Sequence, residues 1–292
     1  MRIQPMPFSS IAILSPGLLG GSLAMAIRKR MPGTAIRVWA RREESIEKVR
    51  ALALADEAST DAAAIVKGAG LILFCMPVGA MPEVARHIRA VVTPNTVITD
   101  VGSVKQPVVE KLGAIFSGQA QFIGSHPMAG SEQAGIEAAR DDLFEGAVTI
   151  LTPEDGANKE TVAALANFWE ALGCRVAIAT PRAHDEAVAL ISHLPHLTAA
   201  ALVQAALREN PASLEWRGNG FLDTTRVALG PPEMWAGILS ENRDALKKAI
   251  HAMIENLSEV TKLLDAEDTG ALEDYLAEAR IVRARLKRKS IS

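Results

Sequence analysis

The fold is decided by a stretch near the N-terminus that reads Ile11-Ala12-Ile13-Leu14-Ser15-Pro16-Gly17-Leu18-Leu19-Gly20-Gly21-Ser22. Its four leading apolar residues predict a buried strand, and the residues from Leu18 to Lys29 predict a helix. Compared with the dinucleotide-binding pattern Gly-x-Gly-x-x-Gly, the first position is Ser15, whereas Gly17 and Gly20 are in place. The stretch therefore predicts a strand, a tight turn and a helix that together bind a dinucleotide, with a plain structural turn as the alternative.

The glycines of this turn have separate expected roles. Gly17 lets the backbone approach a pyrophosphate, and Gly20 lets the helix pack closely on the strand. The unpaired N–H groups at the helix start, around Leu18 and Leu19, face the phosphates. We therefore assign Gly17, Leu18, Leu19 and Gly20 to a cofactor site.

Outward from this unit, short apolar runs alternate with amphipathic stretches. Strands are predicted at residues 36–40, 71–75, 97–101, 148–151 and 176–178, and helices at 43–52 and near 161–172. Such alternation is typical of a parallel sheet with helices on both faces. Met76 and Pro77 follow one of these strands and are assigned to the cofactor site, because ligands of such sheets bind at strand ends.

After Thr180 and Pro181 the strand patterns stop, and helices are predicted at residues 183–207, 232–264 and 271–286. The sequence thus predicts an α/β fold, with a Rossmann-type dinucleotide-binding domain at residues 1–181 followed by an all-α domain at 182–292. By analogy with similar two-domain proteins, the helical domain is expected to supply a substrate cleft and a homodimer surface.

The composition argues against several classes of protein. With 292 residues, of which 49% are hydrophobic, the chain is long enough for two domains and a large core. A net charge of -3 argues against a general nucleic-acid binder. Cys75 and Cys174 fit no disulfide or metal pattern, which favours a reducing cytoplasm. No apolar run has the length expected of a membrane span, and no signal peptide is recognised.

The residues after the second strand bear on the choice of cofactor. An acidic residue there would bind the ribose hydroxyls of NAD. The chain has Arg41 and Arg42 instead, and guanidinium groups suit a 2′-phosphate. We therefore favour NADP; alternatively the arginines are solvated residues at a helix start, so that NAD stays open.

A candidate base lies in the run Gly124-Ser125-His126-Pro127-Met128-Ala129-Gly130-Ser131-Glu132. Hydride transfer from an alcohol needs a nucleotide acceptor and a base for the hydroxyl proton. An imidazole can accept a proton near neutral pH, so His126 is the candidate base. The alternative is a histidine that only caps a loop.

Several motifs together resemble those of the prephenate/arogenate dehydrogenase family. The matching pieces are the Gly17/Gly20 loop, Asp100-Val101-Gly102-Ser103-Val104-Lys105, the run from Gly124 to Glu132, Ser192-His193-Leu194-Pro195-His196, and Asp223-Thr224-Thr225-Arg226-Val227-Ala228 with Trp235. They span nearly the whole chain. The resemblance implies an NAD(P)-dependent oxidative decarboxylation of prephenate to 4-hydroxyphenylpyruvate in tyrosine biosynthesis, or of arogenate to tyrosine.

The resemblance also implies roles for individual residues. His126 acts as the base, and Ser103 hydrogen-bonds near the hydroxyl and the nicotinamide, although Ser103 could instead be a helix N-cap. His196 donates to the substrate side chain, and His193 and Ser192 line the same pocket. The two histidines could alternatively be metal ligands, but no Asp, Glu or Cys cluster accompanies them, so no metal is predicted.

Arg226 is the candidate for binding the ring carboxylate, because its planar fork of donors suits that anion. A structural salt bridge with Asp223 is the alternative. The resemblance further implies that Glu132, Asp223 and Arg226 form an ionic gate at the cleft, which Trp235 lines.

Other functions are compatible with parts of the pattern. A two-domain NADP hydroxyacid dehydrogenase would need a catalytic lysine, and residues 192–196 and 223–226 contain none. A nucleotide-sensing regulator would not need a base and a carboxylate-binding arginine together. We expect prephenate to be preferred over arogenate, because His196 would repel an ammonium group. An acid such as Asp185 or Glu186 could reach in and favour arogenate instead.

Overall fold

The computed structural model describes residues 8–131 and 133–286. Its strands are β1 (Ser10–Leu14), β2 (Ala35–Trp39), β3 (Glu57–Ser59), β4 (Leu71–Phe74), β5 (Val97–Asp100), β6 (Gln121–Phe122), β7 (Gly124–Pro127), β8 (Val148–Thr152) and β9 (Arg175–Ile178). Its α-helices are α1 (Leu18–Arg30), α2 (Glu43–Ala51), α3 (Ala62–Val66), α4 (Met81–Ile88), α5 (Gln106–Phe116), α6 (Lys159–Ala171), α7 (Pro181–Val188), α8 (Leu194–Glu209), α9 (Asn219–Thr225), α10 (Pro232–Glu241), α11 (Arg243–Asp265) and α12 (Thr269–Arg285).

The first six strands form a parallel sheet in the order β3-β2-β1-β4-β5-β6. The central strands are apolar along their length because helices cover both faces, and all four residues of β4 are buried. Side chains of β1 alternate between two hydrophobic cores, with Ile11 and Ile13 in one and Ala12 and Leu14 in the other. The predicted α/β fold with a Rossmann-like N-terminal half is confirmed.

The strand order reverses between β1 and β4, which creates a crevice at the carboxyl ends of the strands. Four predicted cofactor or site residues follow four of these strands. Gly17 follows β1, Arg41 follows β2, Met76 follows β4 and Ser103 follows β5. Because the strands are parallel, these residues lie along one edge of the sheet.

The prediction that one parallel sheet continues to residue 178 is wrong. β7, β8 and β9 form a separate sheet in which β7 is antiparallel to β8. The physical reason is the connection between β7 and β8, whose described residues form a short 3₁₀ turn and no crossover helix of the kind a parallel pair requires. His126 therefore lies on a strand, opposite Ile150, rather than in a loop.

Two of the long helices predicted in the helical half are each interrupted in the structure. The helix predicted at residues 183–207 is two helices, α7 and α8, joined by a π-helical turn over Ala189–His193. Pro195 lies in the first turn of α8, directly after the π-helical turn. The helix predicted at 232–264 is also two, α10 and α11, which meet at Asn242.

One helical run, Pro181–Glu209, is long and apolar enough to cross a membrane by length and composition alone, contrary to the expectation from the sequence. This is weak evidence for a span, because core helices of globular proteins meet the same criterion. The run also carries His184, Asp185 and His193, which are buried inside the protein. Ionisable groups of this kind are costly in a hydrocarbon layer.

Candidate functional site

The turn after β1 is shaped for close approach of a ligand. Ser15 adopts a φ of 83°, a left-handed conformation that favours glycine, and its N–H donates to the Trp39 carbonyl at 2.8 Å. A Cβ at Gly20 would lie 2.1 Å from the Ser15 carbonyl oxygen, so α1 can pack here only with glycine. A Cβ at Gly17 would meet no atom within 4 Å. This backbone, followed by the N-terminus of α1, fits a pyrophosphate.

The side chains after β2 are basic and exposed. Arg41 and Arg42 stand at the start of α2, and the nearest acid, Glu43, forms an ion pair with Arg50 at 3.0 Å. Within the part of the chain that the structure describes, neither guanidinium group has a hydrogen-bond or ion-pair partner. Two cationic groups are therefore available to an anion beyond the end of this strand.

A buried ion pair shapes the turn after β5. Asp100 and Lys105 are both 0% exposed and contact each other through Oδ2 and Nζ. The Asp100 carboxylate also accepts the Gly102 N–H at 2.8 Å and the Ser125 N–H at 3.2 Å. Burial lowers the pKa of Lys105, and the Asp100 charge opposes that shift. The pair ties the turn bearing Ser103 to the strand bearing His126.

The alternative role of Ser103 as a helix N-cap is not what the structure shows. Helix α5 begins at Gln106, and its N-terminal N–H groups are capped from another element. The Asp185 carboxylate accepts the Lys105 N–H at 2.7 Å and the Gln106 N–H at 2.9 Å. The half-buried Ser103 hydroxyl is therefore not used as a cap.

The strand that carries His126 is held by hydrogen bonds between buried side chains. The Ser125 hydroxyl lies 2.6 Å from that of Thr99 on β5, and it accepts the Trp169 indole N–H at 3.2 Å. Hydrogen bonds of this kind restrict β7 to one position relative to the parallel sheet. The position of His126 is therefore set by both sheets.

The imidazole of His126 is the first member of a buried chain of polar groups. His126 is 7% exposed, and its Nδ1 lies 2.8 Å from Nε2 of His184 on α7. The two ring planes are inclined at 64° with centroids 5.0 Å apart. The second nitrogen of His184, Nδ1, lies 2.7 Å from Oδ1 of Asp185. The hydrogen-bonded side chains of His126, His184 and Asp185 thus connect strand β7 with the helical half.

The electrostatic surroundings keep His126 neutral. Burial lowers its pKa well below the ordinary 6.5, and the nearby His184, Lys105 and His193 act in the same direction. A neutral imidazole has a nitrogen lone pair that can accept a proton. At neutral pH the side chain is therefore in the form that a general base requires.

A second group of rings lies further along the helical half. Asn242 Nδ2 donates to the Asp185 carbonyl at 2.8 Å and lies 3.1 Å from Nδ1 of His193. His196 stacks on Trp235 with ring centroids 3.6 Å apart and planes inclined at 11°. The centroid of His193 lies 6.3 Å from that of the same indole. The predicted residues His193, His196 and Trp235 therefore form one cluster, as the spacing of the histidines suggested.

This cluster contains buried polar atoms without partners. Nε2 of His193 and Nδ1 of His196 are buried and have no hydrogen bond among the described residues. Burial lowers the pKa of His193 to about 4 and also lowers the pKa of His196, which the Val227 carbonyl partly offsets. An unpaired buried polar atom is costly, so these two nitrogens mark a place where a polar ligand would bind favourably.

The remaining predicted substrate residues have different surroundings. Arg226 begins the 3₁₀ turn Arg226–Leu229, directly before Val227, and Asp223 lies one turn earlier on α9. Both are exposed, and Ser192 is half-buried in the π-helical turn. Glu132 lies outside the described residues. No group of three or more metal-ligating side chains occurs in the described ranges.

Sequence reasoning missed several members of the site, namely Asp100, Lys105, His184 and Asn242, and it considered Asp185 only as a possible contact for an ammonium group. The Asp100 and Lys105 pair lay within a quoted motif, but nothing in the motif indicated its burial. A usable signal was the His184-Asp185 dipeptide. Both residues lie on the face of α7 that also buries Val188, and charged residues are rarely buried unless paired.

Comparison with known proteins agrees over nearly the whole chain. The family model described as prephenate dehydrogenase, nucleotide-binding domain, matches residues 23–178. The model described as prephenate dehydrogenase, dimerization domain, matches residues 180–278.

Individual proteins give the same result. A prephenate dehydrogenase of Bacillus subtilis is 34% identical over 94% of this chain and 75% of its own length. A cyclohexadienyl dehydrogenase of Zymomonas mobilis is 32% identical over 96% of this chain and 97% of its own. The crystal structure of prephenate dehydrogenase from Aquifex aeolicus, in complex with hydroxyphenyl propionate and NAD+, superposes with a TM-score of 0.91 at 31% identity. That superposition covers 98% of this chain and 100% of the other.

Proposed function

The chain belongs to the prephenate dehydrogenase family, and on that premise we propose that it catalyses the oxidative decarboxylation of prephenate to 4-hydroxyphenylpyruvate. It is thus an oxidoreductase that uses a nicotinamide dinucleotide. The observation that carries the proposal is the neutral, buried His126, joined through the Asp100 and Lys105 pair to the turn that bears Ser103 at the cofactor edge of the sheet.

The reaction needs one transient proton acceptor. When bound, the dinucleotide supplies the acceptor for the hydride that leaves C4 of prephenate. His126 takes up the hydroxyl proton as the C4 oxygen becomes a carbonyl. The bonding pair of the departing carboxylate then makes the ring aromatic and releases carbon dioxide, and His126 returns the proton to the phenolate oxygen. Hydride and carbon dioxide are lost, the phenol keeps its proton, and charge balances with no net proton release.

The other site residues would bind and orient the substrate. Arg226 would pair with the ring carboxylate, and His196 would hydrogen-bond to the pyruvyl side chain, since its Nδ1 has no partner among the described residues. Trp235 would hold the His196 ring by stacking. Ser103 would hydrogen-bond near the substrate hydroxyl and the nicotinamide.

Four further residues would complete the cleft. Ser192 and His193 would line it beside the cofactor, and the unpaired Nε2 of His193 supports a polar contact there. Glu132 and Asp223 would form the ionic gate with Arg226.

Prephenate is favoured over arogenate by the positions of the nearby acids. The acid Asp185 accepts three hydrogen bonds, from His184, the Lys105 N–H and the Gln106 N–H. Glu186 pairs with Arg182 at 3.0 Å. Both acids are thus engaged with other partners, which argues against their binding the ammonium group by which arogenate differs. Arogenate is the second candidate, because a structurally similar protein of Synechocystis is named an arogenate dehydrogenase.

The test is to measure initial rates with each combination of substrate (prephenate or arogenate) and cofactor (NAD or NADP). The rates are recorded from the absorbance of the reduced nicotinamide. Turnover of prephenate with a higher kcat/KM than arogenate is expected. A higher kcat/KM for arogenate would make it an arogenate dehydrogenase, and turnover of neither substrate with either cofactor would refute the function.

NADP is the favoured cofactor because Arg41 and Arg42 are exposed, follow the end of β2 and have no side-chain partner among the described residues. Replacing both by alanine should raise the Kd of NADP and leave that of NAD nearly unchanged, because only NADP has a 2′-phosphate. Titration of both cofactors against both proteins measures this. An equal loss of affinity for the two cofactors would mean that the arginines do not contact the 2′-phosphate.

The pH profile should reflect the lowered pKa of His126. A base whose pKa lies below 6.5 stays unprotonated, and therefore active, as the pH falls through that value. We expect the acidic limb of kcat/KM to lie clearly below pH 6.5. An acidic limb at or above pH 6.5 would contradict a buried, neutral His126.

The helical half exposes an extensive apolar surface. Large apolar side chains are exposed on its helices, at Leu190, Ile191, Leu202, Leu207, Ile254, Leu257, Leu264, Leu276, Ile281 and Val282. Extensive exposed apolar surface is typical of an interface between proteins. We infer that two copies of the chain associate through this half, in agreement with the family model described as a dimerization domain. Both cysteines are free thiols, which supports a cytoplasmic location.

A further inference from the structure

We propose that His184 and Asp185 are positioning residues that fix the His126 imidazole in its Nδ1–H form, so that Nε2 is the nitrogen that receives the substrate proton. The proposal rests on the proposed function for the identity of the substrate. The tautomer itself is a property of the free protein and can be tested without turnover.

The argument begins at the carboxylate. An ionised carboxylate can only accept hydrogen bonds, so His184 must donate its Nδ1–H to Asp185 Oδ1 across 2.7 Å. In its neutral form, which the proposal requires, His184 has this one N–H, so its Nε2 is an acceptor. That nitrogen lies 2.8 Å from Nδ1 of His126, so Nδ1 of His126 must carry the proton. The remaining nitrogen, Nε2, is then a bare acceptor.

The carboxylate at the far end is itself firmly held. Asp185 also accepts the Lys105 and Gln106 N–H groups at the start of α5, and its backbone carbonyl accepts from Asn242. These bonds leave the carboxylate little freedom to turn away from His184. Groups from both halves of the protein therefore set the orientation of the carboxylate. This orientation in turn sets the direction of the hydrogen bonds from His126 through His184 to Asp185.

Two observations distinguish this arrangement from ordinary core packing. His184 is 1% exposed and Asp185 is 5% exposed, and burying such groups costs free energy that an apolar pair would not. Within the described residues, Nε2 of His126 has no hydrogen-bond partner, whereas Nδ1 has one. The series of hydrogen bonds from Asp185 through His184 thus ends at Nε2 of His126, which is available to the substrate.

The same chain would stabilise the transition state. When the hydroxyl proton moves to Nε2, His126 becomes a cation in a buried site. The His184 lone pair then accepts a charge-assisted hydrogen bond, and the Asp185 carboxylate lies behind it. No proton needs to pass from His126 to His184 or Asp185, because His126 returns the proton to the product oxygen.

The direct test is a heteronuclear NMR spectrum of protein labelled with ¹⁵N in its 6 histidines, at a pH where they are neutral. His126 is assigned by the signal lost in His126→Asn. The expected result is a protonated Nδ1 and an unprotonated Nε2. The opposite tautomer in the wild-type protein would overturn the proposal, whatever the enzyme acts on.

A matched pair of variants tests the effect on catalysis. A glutamine side chain at position 184 can bring its amide to the place of the histidine Nε2 and keep a partner for His126. An asparagine can bring its amide to the place of Nδ1 and keep only the contact with Asp185. We expect His184→Asn to lower kcat by roughly 10–100-fold, the scale for losing a group that orients a histidine. His184→Gln should retain more activity, with KM little changed in both.

The ranking of the two variants is decisive, because a structural role through Asp185 would make His184→Asn the more active. That reversed order, or two equal kcat values, would overturn the proposal. Asp185→Asn is the second variant, and it should move the His126 ¹⁵N signals toward a mixture of tautomers. Unmoved signals would also overturn it. His87→Asn, on an exposed face of α4, is the control and should match wild type.

Discussion

Replacing His126 by asparagine is expected to lower kcat by about 10²–10⁴-fold, the usual effect of removing a general base. Asparagine can still hydrogen-bond to the substrate hydroxyl, but its amide cannot take up the proton as C4 is oxidised. KM should change little, because the ring carboxylate and the pyruvyl side chain of the substrate are bound by residues other than His126. The measurement is kcat and KM from initial rates with saturating cofactor.

The fold of this variant should be retained. His126 lies on β7, whose position is also set by the Ser125, Thr99 and Trp169 hydrogen bonds, and these do not involve the imidazole. A cofactor Kd and a thermal midpoint close to the wild-type values would establish that only the chemistry is lost. His251→Asn, on an exposed face of α11, serves as the control. If His126→Asn kept kcat within about threefold of wild type, His126 would have no part in the chemistry.

The first parallel sheet and the glycine turn after β1 were predictable because their signals are local. The apolar run of β1 and the glycines of the following turn each depend on neighbours in sequence, and the structure places both as expected. Ser15 shows the limit of such a pattern. It departs from the glycine motif, yet a backbone hydrogen bond to Trp39 holds it in the left-handed conformation that glycine would adopt.

The arrangement around His126 was not predictable because it depends on contacts between distant parts of the chain. The contact between His126 and His184 spans 58 residues, and that between Lys105 and Asp185 spans 80. Neither pair has a sequence spacing that indicates contact. The antiparallel direction of β7 was missed for a similar reason, since an apolar strand pattern does not specify the direction of its neighbour.

In the helical half, a prediction of which residues lie close together was correct although the predicted helix boundaries were wrong. One long helix was predicted where α7, a π-helical turn and α8 occur. His193 and His196 nevertheless lie on the same side of the helix as predicted, because a spacing of three residues is about one turn. The π-helical turn lies directly before this pair, and such turns are frequent at functional sites.

Replacing Arg226 by alanine is expected to raise KM for prephenate by about tenfold to 10²-fold, because a charge-assisted hydrogen bond contributes roughly 1.5–3 kcal/mol. The ring carboxylate is present in the bound substrate and persists until carbon dioxide departs. Losing the contact between Arg226 and this carboxylate therefore weakens binding of the ground state and the transition state alike. As a result, kcat should fall much less than KM rises. The position supports this role, since Arg226 directly precedes Val227, whose carbonyl faces His196.

Two further variants separate substrate binding from structural support by Arg226. Arg226→Lys keeps the charge and loses the planar pair of donors, so its KM should lie between those of wild type and Arg226→Ala. Arg208→Ala removes an exposed arginine of α8 and should leave KM unchanged. If Arg226→Ala instead lowered the thermal midpoint and left KM for prephenate unchanged, the arginine would be structural. The carboxylate would then have to bind elsewhere, and the stacked pair of His196 and Trp235 would have to position the substrate without it.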